Sequence, residues 1–169
     1  MHRHPDRSLA RALRCALAAL ALAAAPAARA QFPITESFMN STAPGWLILG
    51  NASLTGGGVD PAGAGWLRLT GLTTNQAGSA IYNTAFASTS GIAVTFDYAD
   101  YGGTAGQDAD GFSFYLIDGS VTSPTVGSSG GPLGYAAKTT ITGSSCSSGT
   151  ETVGTAGVTK GYVGIGFDE

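Results

Sequence analysis

Asp108-Ala109-Asp110-Gly111-Phe112-Ser113-Phe114-Tyr115-Leu116-Ile117-Asp118 joins an acidic, glycine-containing loop to the most apolar strand candidate in the chain. With side chains alternating, Phe112, Phe114 and Leu116 share one face, and Ser113, Tyr115 and Ile117 the other. A strand apolar on nearly both faces belongs inside a sandwich, so the loop feeding it is held by a rigid scaffold. Loops held in this way commonly carry binding residues. Asp110 is therefore the first residue to ask about.

Working outward, further strand candidates recur at short intervals between Gly, Asn, Asp and Pro. They are Trp46-Leu47-Ile48-Leu49, Asn51 to Thr55, Trp66 to Thr70, and Gly78 to Tyr82. Ile92, Val94, Phe96 and Tyr98 alternate with Ala93, Thr95 and Asp97, the pattern of a half-buried strand. Gly119 to about Thr155 reads as irregular. In Gly161 to Phe167, Val163, Ile165 and Phe167 share a face, and Gly164 and Gly166 occupy the other. No segment from Gln31 onward has a helical period, and no repeat is visible. The expected class is all-β, a sandwich or barrel of short strands.

The N-terminus reads separately. Arg3, Arg7, Arg11 and Arg14 precede an apolar run from Cys15 to Ala25, and Ala28-Arg29-Ala30 has the small-x-small form of a signal-peptidase site. The run is shorter than the roughly 20 residues of a bilayer-spanning helix. Residues 1–30 are thus expected to be a secretory signal peptide, and 31–169 a secreted, extracellular or surface-displayed domain with no membrane insertion.

Removing residues 1–30 leaves three basic residues, Arg68, Lys138 and Lys160, against ten acidic ones, a formal charge of −7 where the whole chain carries −3. So acidic a domain is a poor partner for nucleic acid. Carboxylates in the loops of a secreted protein suit calcium instead. Both histidines, His2 and His4, fall in the signal segment. Histidine-dependent triads and histidine-ligated zinc are thereby excluded from 31–169. Cys146 is then the single cysteine, in a Ser/Gly-rich loop with no base to activate it.

Two chemical readings of the acidic loop fail on register. An EF-hand with Gly111 at its glycine position requires a glutamate at 117, which is isoleucine, and a helix where a strand follows. A glycosidase needs two suitably spaced carboxylic acids, and Glu36, Glu151 and Glu169 lie in no such strand pattern. Binding without turnover fits better. A sugar needs a carboxylate acceptor, backbone N–H donors and an aromatic surface, which Asp110, Gly130-Gly131, and Tyr101 or Tyr135 could supply. The same residues also suit plain turns and half-buried core.

In order and spacing the chain resembles the L-type lectins, the legume-lectin-like domains and their bacterial relatives. The resemblance spans nearly all of 31–169: Glu36-Ser37-Phe38, Gly50-Asn51-Ala52, Trp66 to Thr70, Gly78 to Tyr82, Ala109-Asp110-Gly111-Phe112-Ser113-Phe114, Gly130-Gly131-Pro132-Leu133-Gly134, and Val163 to Asp168. It implies a concanavalin A-like jelly-roll β-sandwich that binds glycans, polysaccharides or glycoproteins without catalysis. It implies that Asp110 accepts from sugar hydroxyls after a cis Ala109–Asp110 peptide. Gly131, beside Gly130, would donate its N–H to the sugar, and Asp168 would hold calcium.

The departures from the family also carry expectations. Gly166 stands where legume members have a glutamate that ligates a transition metal, which argues against that metal and leaves at most Ca2+. The family's asparagine that contacts both calcium and sugar would fall past Asp168. Glu169 ends an apolar strand with no cap, so the chain is expected to be the N-terminal portion of a sandwich incomplete at its C-terminus. The alternative is a non-binding adhesive or structural β-sandwich module of a larger cell-surface protein.

Overall fold

The structure, a computed structural model, describes residues 32–102, 110–142 and 150–168. The expected signal peptide, Ala109 with its peptide bond, and Cys146 lie outside these residues. Contacts divide the chain into two units, Met1–Ile34 and Thr35–Glu169. In the first, only 32–34 are described, and they include a cis Phe32–Pro33 peptide. Everything that follows concerns the second.

The described residues are all-β, without helix. Their strands are β1 (Trp46–Gly50), β2 (Ser53–Leu54), β3 (Leu67–Arg68), β4 (Gly78–Tyr82), β5 (Phe112–Ile117), β6 (Lys138–Thr142), β7 (Thr150–Thr155) and β8 (Gly161–Phe167). They pair antiparallel as four two-stranded sheets, β1 with β4, β2 with β3, β5 with β8 and β6 with β7.

The strand expected over 92–98 carries no ladder, although its apolar alternation is intact. Alternation selects a buried face, but a strand also needs a neighbour for its N–H and C=O groups. In the other direction, β6 and β7 fall inside the stretch read as irregular. Lys138-Thr-Thr-Ile-Thr142 and Thr150-Glu-Thr-Val-Gly-Thr155 are rich in β-branched threonine, which favours strands. They lack the apolar alternation by which the other strands were recognised.

The β5/β8 pair organises the site. Its register sets Phe112 opposite Phe167, Phe114 opposite Ile165 and Leu116 opposite Val163, so these six side chains share one face. Phe114, Leu116, Val163, Ile165 and Phe167, together with Ile92, Val94 and Phe96, line an open apolar groove of about 420 Å³. Ile165 is 55% exposed and Val94 52%, so the groove is uncovered. At its end Phe112 stacks on Phe167 with ring centroids 4.7 Å apart, and Phe96 meets both edge-on at 6.0 and 5.8 Å.

The opposite face explains the glycines of β8. A side chain at Gly164 would come within 2.7 Å of the Tyr135 ring, and one at Gly166 within 2.8 Å of Leu133 Cδ1. Both glycines are therefore sites where the 127–137 loop lies directly against the strand. The Gly166 position accommodates an apolar side chain from this loop. Ser113 and Tyr115 complete the face, as expected from alternation.

Candidate functional site

Gly111 locks the loop end of β5. Its φ is +104°, and a Cβ there would stand 2.0 Å from the Phe167 carbonyl oxygen and 3.1 Å from Asp168 Cα. Glycine alone allows the backbone so close. Asp110 and Asp168, the residues just beyond the paired ends Phe112 and Phe167, are thereby held at one end of the β5/β8 pair.

The 127–137 loop reaches this same end from elsewhere in the chain. A Cβ built on Gly130 would lie 3.6 Å from Asp110 Oδ2 and 3.7 Å from Lys138 Nζ. Gly130 has φ +83°, and the Leu133 N–H donates to its carbonyl at 2.8 Å, closing a tight turn around Gly131 and Pro132. At Gly131 a Cβ would meet nothing within 4 Å, so its backbone is open to an approaching molecule. Asp110 and Gly130 are thus brought together. Gly131 forms the adjacent open tip, and Ala109 lies outside the described residues.

The loop owes its shape to Ser128, which is 3% exposed. Its hydroxyl donates toward the Thr155 and Ala156 carbonyls, at 3.1 and 3.3 Å, and accepts from the Lys138 N–H at 3.2 Å. Its own N–H donates to Ala136 O, and the Gly134 N–H donates to Ser128 O. Ser113 Oγ on β5 donates to Leu133 O at 2.9 Å and fastens the loop to the strand that carries Asp110. No sequence pattern set Ser128 apart from its serine neighbours.

Tyr135 was one candidate for a sugar-stacking surface, and here it has a different task. Its ring contacts Gly161 and Gly164 and lies 5.6 Å from the Tyr115 ring. It is half-buried between loop and strand. Tyr101 is exposed, on a segment of the described residues just before 103–109.

Tyr115 links β5 to β4 through its hydroxyl, 2.5 Å from Ser79 Oγ. Burial raises its pKa above the ordinary tyrosine value, and the Ser79 hydrogen bond opposes that rise. The neutral phenol is therefore favoured in the folded state. The stability this confers is fully present below about pH 10, the unfolded value, and is lost as pH rises through the folded one. Urea denaturation between pH 8 and 11 should show stability falling above pH 10. Tyr115→Phe should flatten the fall, and an unchanged profile in that variant would exclude Tyr115 as its source.

Asp168 is exposed at the strand end. Among the described residues, no group of three or more His, Cys, Asp or Glu side chains is placed to hold a metal ion. Calcium takes about six to eight oxygen ligands. Asp168 would supply one carboxylate among them. Lys138, whose ammonium lies beside Gly130, did not stand out in the sequence as a candidate. The available signal was its rarity, as one of three basic residues in an acidic segment. No family model, curated protein or solved structure matches the chain.

Proposed function

We propose that the chain is a secreted carbohydrate-binding protein of the L-type lectin kind, built on a concanavalin A-like jelly-roll sandwich and without catalytic activity. One observation carries this reading. A carboxylate at the mouth of β5 and a left-handed glycine turn from a separate loop meet within van der Waals distance of the same point. Asp110 would accept from a pair of sugar hydroxyls, and the open Gly131 backbone would donate between them. Charge-assisted hydrogen bonds of this type contribute about 1.5–3 kcal/mol each. Residues 1–30 would direct export, and neither nucleic acid nor membrane would be a partner.

Calcium enters the proposal only through Asp168, which would give one carboxylate ligand. Calcium held there would support the sugar contact by steadying the loop that carries Asp110.

A glycan array followed by calorimetry tests the reading. Asp110→Ala should weaken binding by roughly ten- to a hundredfold, the loss of one charge-assisted hydrogen bond or slightly more. The bound glycan should be recovered intact. Chelator should weaken binding if Asp168 holds calcium, and should leave it unchanged if it does not. A folded chain that binds no glycan would favour the alternative, an adhesive or structural module. The uncovered apolar face of β5 and β8 is the observation on that side, since a large exposed apolar patch marks an interaction surface.

A further inference from the structure

We propose that the site selects anionic sugars, those bearing a carboxylate or a sulfate, with Lys138 as the residue that reads the charge. This rests on the carbohydrate reading and deepens it.

The acidic segment 31–169 contains three basic side chains, and the structure accounts for each differently. Arg68 Nε donates to the Thr70 carbonyl at 3.2 Å, within its own turn. Lys160 Nζ lies 3.8 Å from Asp118 Oδ2 and donates to Ser120 Oγ at 3.1 Å. Lys138 Nζ stands beside Gly130, 3.7 Å from the point a Cβ would occupy, with Asp110 Oδ2 3.6 Å from that same point. With no side chain at Gly130, an ammonium and a carboxylate both border the space beside it.

Such a pair of charges has a definite complement. Asp110 is an acceptor and suits the hydroxyls of a sugar ring. The Lys138 ammonium is a donor with full positive charge and suits an anionic substituent on that ring. A neutral sugar would satisfy the carboxylate and leave the ammonium to water. An anionic one satisfies both.

The backbone of Lys138 is held. It opens β6, and its N–H donates to the buried hydroxyl of Ser128, whose own carbonyl accepts from Gly134 in the loop that carries Gly130. Turn and lysine therefore share one anchor. At about 0.15 M salt the screening length is about 8 Å, so distant carboxylates are damped. Asp110 is close enough to repel an anion, so the anionic substituent must face Lys138 while the ring hydroxyls face Asp110.

The test uses the full chain and immobilised oligosaccharides in matched sets: glucose against glucuronate, galactose against galacturonate and galactose 6-sulfate, and mannose against mannuronate. At low salt, at least one anionic member should bind about tenfold more tightly than its neutral counterpart, the size of one charge-assisted contact. That advantage should shrink as salt is raised. Lys138→Gln should erase it, and Lys138→Arg should keep it. Circular dichroism of each variant confirms the fold. The preferred arm, uronate or sulfate, names the anionic group.

Equal, Asp110-dependent binding of neutral and anionic members would overturn this inference and leave the carbohydrate reading standing. An anionic preference that survives Lys138→Gln would overturn the role of Lys138. Binding to none of the sets would overturn both.

Discussion

Gly111→Ala is expected to lower the melting temperature by roughly 10 °C or more, the largest effect of any single-methyl addition at the site end of β5. Two costs combine. At φ +104° an L-residue lies outside even the small left-handed well, which costs about 1–3 kcal/mol. The added Cβ would also sit 2.0 Å from the Phe167 carbonyl oxygen, a backbone atom that cannot rotate aside. Relief requires opening the β5/β8 ladder at its Phe112–Phe167 end. Together these should remove about 3 kcal/mol or more, a large share of the roughly 5–15 kcal/mol that holds a domain folded.

The control is Gly131→Ala. A Cβ there meets nothing within 4 Å, so stability should stay within about 0.5 kcal/mol of the parent. Thermal and urea denaturation of both variants make the comparison. A Gly111→Ala protein melting within 2 °C of the parent (roughly 0.5 kcal/mol) would refute the close backbone approach. The same contact sets where Asp110 projects, so this substitution should also weaken any ligand that Asp110 holds.

The glycines show how unevenly the fold was legible. Alternation alone separated Gly164 and Gly166 from Val163, Ile165 and Phe167, and the structure keeps that division. What the sequence could not convey is why one face is bare, since Leu133 and Tyr135 arrive from a loop distant in the chain. Strong local patterns, such as β5 and β8, were readable because each residue's face follows from its neighbours. The β6/β7 hairpin was not, because threonine supplies strand preference without marking a buried side.

The site divides along the same line. Asp110, Gly130 and Gly131 stood out as a carboxylate and a glycine pair, and the fold brings them to one end. Lys138 and Ser128 acquire meaning only in three dimensions, through a shared hydrogen bond and a proximity to Gly130 that no linear spacing encodes. Tyr135 was an equivocal aromatic in sequence, and only its contact with Gly161 and Gly164 assigns it to packing.

Phe112→Ala is the second large effect, and it asks what holds the unladdered segment 92–98 in place. Phe112 stands at the centre of a ring cluster: Phe167 at 4.7 Å, Tyr98 at 5.0 Å and Phe96 at 6.0 Å. Full burial of a phenylalanine makes its truncation cost about 3–5 kcal/mol. Here the cluster is half-exposed, Phe96 at 44% and Tyr98 at 58%, so about 2–3 kcal/mol is expected. The loss should fall first on 92–98, because no β-ladder supports that segment and ring contacts with β5 and β8 must do so. Amide hydrogen exchange should therefore accelerate in 92–98 well before β1 or β4. A Phe96→Ala, Phe112→Ala double-mutant cycle should give a coupling of about 0.5–1.5 kcal/mol. Additivity within about 0.3 kcal/mol would mean that the rings lie near each other without holding the segment. Such coupling would make the apolar face a single cooperative patch reaching to within one residue of Gly111, so that whatever covers the groove also steadies the residue presenting Asp110.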